Sequence, residues 1–302
     1  MMLQNTTKMK YLKYSNYWDT YLKKDVSLKS NLLNLNYIHY FNEIPYTRWP
    51  FYISWSLFVM IFFFLLSLTR YEWALSLGLL GMGLVAYYTM MWFQEIHIES
   101  GVFGKYNRKI RACLAYGFAL FIVSEVALFS GFFWTYFDRF FHPIYLLDNS
   151  SLPLGIPRLP KGGMSLIATG LLVASGLLLN LAAYILRLGN MYVPHFLTTI
   201  ALCMGLYFLE IQFYEYRQVL EFNITESVYS SIFYFLTGFH GMHVLVGFIF
   251  LCVSYYFLNN RLFYTKERHL SFSLAIFYWH FVDLVWLFLY VSVYIANFSL
   301  SA

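Results

Sequence analysis

Five side chains in this sequence are of types that do chemistry and lie where water is scarce. Glu125 sits inside the apolar run Phe121-Ile-Val-Ser-Glu-Val-Ala-Leu-Phe129. His240 and His243 lie in Leu236-Thr-Gly-Phe-His-Gly-Met-His-Val-Leu-Val-Gly247, and His280 and Asp283 in Tyr278-Trp-His-Phe-Val-Asp-Leu-Val-Trp286. A carboxyl group in such a setting must be neutralised or paired, so each of these positions marks a functional or assembly site. For Glu125 two readings stand. One is proton handling or a polar contact with a neighbouring subunit; the other is a structural hydrogen bond to Ser124, Ser130 or a facing helix. The histidines at 240 and 243, and the His280–Asp283 pair, each have the i,i+3 spacing that puts two side chains on one helix face. A haem or copper ion needs further ligands from facing helices, so hydrogen bonds across helices are the expectation for the two histidines, and metal binding is not. For His280 and Asp283 the expectation is an internal structural pair, since an imidazole within one turn partly neutralises the acid. Glu210, close to Glu215 at a span end, reads as a solvated interfacial charge.

The elements that must position these groups follow from composition. Of 302 residues, 60% are apolar and only 12% charged, against about 25% charged in a soluble domain. Seven apolar runs, at 49–69, 73–94, 112–137, 162–186, 191–214, 227–258 and 270–298, each reach the roughly 20 residues a helix needs to cross hydrocarbon. Runs of that length are too long for barrel strands, so the expected fold is an all-α membrane protein of seven transmembrane helices. The first two runs are joined so tightly that they form a hairpin. The polar break after it suggests a division into an extension at 1–48, a hairpin at 49–95 and a five-helix bundle at 96–302.

Charge sets the orientation. With the amino terminus inside, 15 Lys and Arg fall on the inner side and five on the outer, which predicts an inner amino terminus and an outer carboxy terminus. The extension has no Arg before Arg48 and contains Asp19, Asp25 and Glu43, unlike a cleaved presequence, and it reads as a retained segment on the inner face. Cys113, Cys203 and Cys252 fall within spans at no metal-binding spacing and read as small packing residues. The 32 Phe and 28 Tyr exceed what interfacial anchoring needs and point to an AT-rich coding sequence, as in many mitochondrial genomes. A phosphate loop, a nucleophile beside a base, and a basic patch for nucleic acid are all lacking from the sequence, so catalysis by this chain alone is not expected.

The strings around Glu125 through Gly131-Phe-Phe-Trp134, from Thr237 to Val244 and from Tyr278 to Val291 resemble the cytochrome c oxidase subunit III family in its mitochondrial form. Shorter echoes occur at Trp49-Pro50, Glu99-Ser100, Leu172-Val-Ala-Ser-Gly176 and Gly205-Leu-Tyr-Phe208. The resemblance implies a core subunit of the respiratory haem–copper oxidase in the mitochondrial inner membrane, with its amino terminus in the matrix and its carboxy terminus in the intermembrane space. Such a subunit carries no haem or copper, which reside in partner subunits; it packs beside catalytic subunit I and supports proton uptake and sustained turnover. It further implies a V-shaped cleft between helices 1–2 and helices 3–7, filled by phospholipids such as cardiolipin or phosphatidylglycerol. The family's helix-3 carboxylate maps onto Glu125, and its lipid-headgroup contacts onto Glu99, His243 and Arg261. This chain departs from the family at Gly104-Lys105-Tyr106, Asn180-Leu-Ala-Ala-Tyr184 and Arg268-His269, where histidine pairs are usual; Lys105 and Arg268 keep cations there for anionic lipid. Two other functions remain to be weighed: an independent proton channel or transporter, and a haem-binding subunit.

Overall fold

The computed structural model describes residues 47–69, 71–97, 100, 106, 108–141, 163–220, 222–258 and 269–295. Among the described residues, seven helices are long and apolar enough to cross a membrane. They are α1 (Trp49–Leu68), α2 (Glu72–His97), α3 (Arg108–Phe141), α4 (Met164–Arg187), α5 (Tyr192–Tyr214), α6 (Val228–Leu258) and α7 (Leu270–Leu289). Two of them end on a wider, π-helical turn: Glu215–Val219 after α5 and Tyr290–Ile295 after α7. Of the polar extension, only Thr47 and Arg48 belong to the described residues.

Local chemistry sets the ends. Pro50 occupies the first turn of α1, where its missing N–H is no loss. Gly163 precedes α4 at φ 79° and Gly189 follows it at φ 93°, a backbone that side chains rarely tolerate. Asn190 then caps α5, its Oδ1 accepting from the N–H groups of Tyr192 at 2.9 Å and Val193 at 3.3 Å. Ser227 and Ser230 cap α6 reciprocally, each hydroxyl accepting the other's backbone N–H at 2.9 and 3.0 Å. The α3 helix is longer at both ends than the apolar run at 112–137 and takes in the flanking Arg108, Lys109 and Asp138.

The hairpin packs on itself. A Cβ added at Gly81 would stand 2.9 Å from the Met60 backbone, which shows how closely α2 approaches α1. Among the described residues, neither α1 nor α2 packs substantially against α3–α7. Within the five-helix body, α4 pairs with α5, α5 with α6 and α6 with α7, while α7 also meets α4 and α3. The apolar window of α1 is 6% buried and that of α7 is 61% buried, so α7 is the core element. Leu68, Leu120 and Trp134 turn outward with most of their surface open, as expected where the solvent is lipid.

At the centre Trp279 is fully buried. Its Nε1–H donates to Ser175 Oγ of α4 at 2.8 Å, and a Cβ built on Gly205 of α5 would lie 2.8 Å from its ring. The glycine is what lets α5 reach this ring. We expect Gly205→Leu to cost about 1–3 kcal/mol, the range for overpacking a filled core. Thermal unfolding in detergent would register it as a lowered midpoint, and an unchanged midpoint would show that the ring has room.

Candidate functional site

Among the described side chains of α3, one stripe is buried: Ile122, Phe129, Phe133 and Tyr136. Glu125 falls on that stripe, three residues after Ile122 and four before Phe129, and so faces the body of the bundle. Its Oε2 lies 2.8 Å from Nε2 of His243 on α6, and His243 Nδ1 lies 2.7 Å from the Phe239 carbonyl. A carbonyl only accepts, so Nδ1 carries a hydrogen. Nε2 then either accepts from a protonated carboxyl or donates to a carboxylate. In both states one proton lies between the two atoms and the pair has no net charge. That neutrality is what makes a carboxyl group tolerable at this depth. Phe129 meets the His243 ring edge-on at 5.0 Å and Phe281 lies at 6.3 Å, so the imidazole is held between aromatic walls. Ser124 and Ser130 serve their own helix, donating to the Phe121 and Val126 carbonyls at 2.6 and 2.8 Å.

His240 shares a helix with His243 but turns to a different neighbour. It is fully buried, with Nε2 3.2 Å from the Val282 carbonyl of α7 and its ring 5.1 Å from Trp286. The two imidazoles thus join α6 to two different helices. Among the described residues there is no group of three or more His, Cys, Asp or Glu that could hold a metal ion.

On α7, His280 Nδ1 and Asp283 Oδ2 are 3.8 Å apart, beyond hydrogen-bond reach. His280 Nε2 instead pairs with Asn180 Oδ1 of α4 at 2.9 Å. Asp283 is buried, and its Oδ1 has no hydrogen-bond partner. It lies against Gly176, where an added Cβ would stand 2.6 Å from Oδ2. Trp286 Nε1–H donates to Thr169 Oγ1 at 3.0 Å, so α4 and α7 are stitched by three polar contacts, one buried, one half-buried and one at the open edge.

A third group went unread in the sequence. Glu215, in the π-helical turn after α5, is 2% exposed. Tyr294, in the π-helical turn after α7, donates to its Oε1 at 3.0 Å, and Gln212 Nε2 donates to its Oε2 at 3.1 Å. Nearby, Tyr216 OH donates to Thr237 Oγ1 at 2.6 Å and Tyr136 OH to the Ser292 carbonyl at 3.0 Å. The two wide turns therefore meet through a buried carboxyl group, while Glu210 is exposed. The available signal was the Gln212–Glu215 spacing beside Tyr216. Of the lipid positions, Glu99, Lys105, Arg261 and Arg268 lie outside the described residues, while His243 turns its Nε2 to Glu125.

Two substitutions test these contacts. Tyr294→Phe deletes one donor to Glu215 and is expected to cost about 0.6–2 kcal/mol, the range for hydrogen bonds between transmembrane helices. Glu125→Leu leaves His243 Nε2 unpaired and is expected to cost about 1–3 kcal/mol, with Glu125→Gln much milder because an amide can still donate to that nitrogen. Unfolding free energies in mixed micelles measure both; a leucine variant as stable as the parent would show the pair to be idle.

The geometry can be set beside known proteins. The profile of the family described as cytochrome c oxidase subunit III matches residues 39–298. A cytochrome c oxidase subunit 3 from Papio hamadryas is 35% identical over 260 residues, covering 85% of this chain and 97% of that protein. One from the fungus Emericella nidulans is 35% identical over 256 residues, covering 85% and 94%. One from Rattus norvegicus is 39% identical over 220 residues, covering 73% and 82%. A seven-helix membrane bundle matched in order along nearly its whole length leaves one conclusion: the chain belongs to the cytochrome c oxidase subunit III family.

Proposed function

We propose that the protein is a non-catalytic core subunit of cytochrome c oxidase in the mitochondrial inner membrane, packed beside catalytic subunit I. The observation that carries this reading is the ordered match of residues 39–298 to the family. Its amino terminus lies in the matrix and its carboxy terminus in the intermembrane space, a reading supported by the excess of Lys and Arg on the amino-terminal side of the spans. Oxygen reduction belongs to haem and copper in partner subunits. This chain contributes structure and protonatable groups.

Two features support that division of labour. Among the described residues the hairpin α1–α2 packs mainly on itself, which supports the reading of a lipid-filled cleft between it and α3–α7. Phospholipid headgroups, cardiolipin or phosphatidylglycerol among them, would be held by Glu99, Lys105, Arg261 and Arg268, a proposal that rests on the family resemblance and on the attraction of basic side chains to anionic lipid. The Glu125–His243 pair sets a carboxyl oxygen and an imidazole nitrogen 2.8 Å apart on two helices, a geometry that suits a shared proton beside a proton-pumping partner.

Purification through a tag on this chain tests the reading. Haem absorbance and oxygen consumption with reduced cytochrome c should co-purify with it. A colourless particle that instead conducts protons in liposomes would favour an independent channel. Within the complex, Glu125→Gln should leave the initial oxidation rate largely intact, whereas Glu99→Gln, Lys105→Gln and Arg268→Gln should shorten the time over which turnover is sustained. Immediate loss of electron transfer in Glu125→Gln would contradict this assignment.

A further inference from the structure

We infer that the open face of α7, between α3 and α4, is the docking face for a transmembrane helix of another polypeptide in the complex, one that carries a hydrogen-bond acceptor near mid-depth. The inference rests on the oxidase-subunit reading. It starts from a polar pair that faces outward where nothing in a bilayer can satisfy it. Asn180 is exposed, and the His280 side chain is 37% exposed. His280 lies ten residues into the span Leu270–Ile295, about 15 Å from its start at the rise of an α-helix. The hydrocarbon layer is about 30 Å thick, so water and lipid headgroups are both out of reach at that depth. Asn180 spends its Oδ1 on His280, and among the described residues its amide N–H groups have no acceptor. The buried Asp283 behind the pair is out of a docking helix's reach. The Asn180 amide facing acyl chains would cost free energy, and a neighbouring helix with Ser, Thr, Asn, Gln or a carboxyl group at this level would remove the cost.

The surface beside the pair has the form to seat such a helix. One turn along α7 from His280, the exposed Leu284 begins an apolar groove of about 770 Å³ between α3 and α7. Phe133, Trp134, Phe137, Val285 and Phe288 line it. An acyl chain would fill the groove but leave the amide of Asn180 unsatisfied. A helix can fill the groove and reach the amide together, and this decides between the two occupants.

The test uses the intact complex, purified through a tag on this chain, with p-benzoylphenylalanine incorporated at Leu284. After irradiation, the inference expects an adduct to a different membrane-spanning polypeptide. An adduct to phospholipid alone, or to a second copy of this chain, would overturn it. Asn180→Leu in the same background should reduce the adduct several-fold with helical content unchanged; an undiminished adduct would remove the polar contact from the interface. Haem absorbance of the same sample reports separately on the oxidase-subunit reading. Its absence would defeat that reading, while the adduct would still decide the docking face.

Discussion

Inside a bilayer no water is at hand to complete a hydrogen bond, and this constraint shapes the structure more than any single residue. Apolar burial gives little reason for helices to associate when lipid is as apolar as leucine. What remains is close packing and the need of each polar side chain for a partner. The five-helix body answers both. Its contacts are drawn by Glu125 with His243, His240 with the Val282 carbonyl, Trp279 with Ser175, Trp286 with Thr169, and Glu215 with Tyr294. Each joins two different helices, so these polar residues, liabilities alone, become ties, while Asp283 Oδ1 and the Asn180 amide are left without a partner among the described residues.

The ties converge on α7. Small residues on the buried face of α4, among them Ala168, Ser175, Gly176, Ala182 and Ala183, let its backbone come close enough for the indole N–H groups of α7 to reach hydroxyls. At the far end, the paired π-helical turns reorient Glu215 and Tyr294 toward each other. Wide turns of this kind are enriched at functional sites, because they aim a side chain that regular helix geometry would point elsewhere. The α3 helix is tied differently, by one inward stripe and one proton-sharing pair, and most of its surface faces outward.

Much of this was legible in the sequence, for reasons that also explain what was not. The seven spans follow from hydropathy and length, which depend only on local composition. Glu125 stands out because a carboxyl group in an apolar run is costly wherever it points. Its partner was not legible: His243 is 118 residues away, and no periodicity reports which helices are neighbours. The i,i+3 spacing of His280 and Asp283 places them together, with Nδ1 and Oδ2 3.8 Å apart, but only packing reveals that Asn180 of α4 takes the hydrogen bond of the other ring nitrogen. Glu215 does not stand out beside the interfacial Glu210, since a π-helical turn leaves no mark in the pattern. The family resemblance supplied what periodicity lacks, an expectation about partners and lipids, and several of its positions lie outside the described residues.

The central claim is that Glu125 and His243 act as one unit joining α3 to α6. A double-mutant cycle with Glu125→Leu, His243→Leu and the pair together, read as unfolding free energy in mixed micelles, addresses it directly. The account predicts that the double variant loses less than the sum of the single losses, by a coupling energy of about 0.5–3 kcal/mol. Strict additivity would mean that the two side chains are neighbours without being partners.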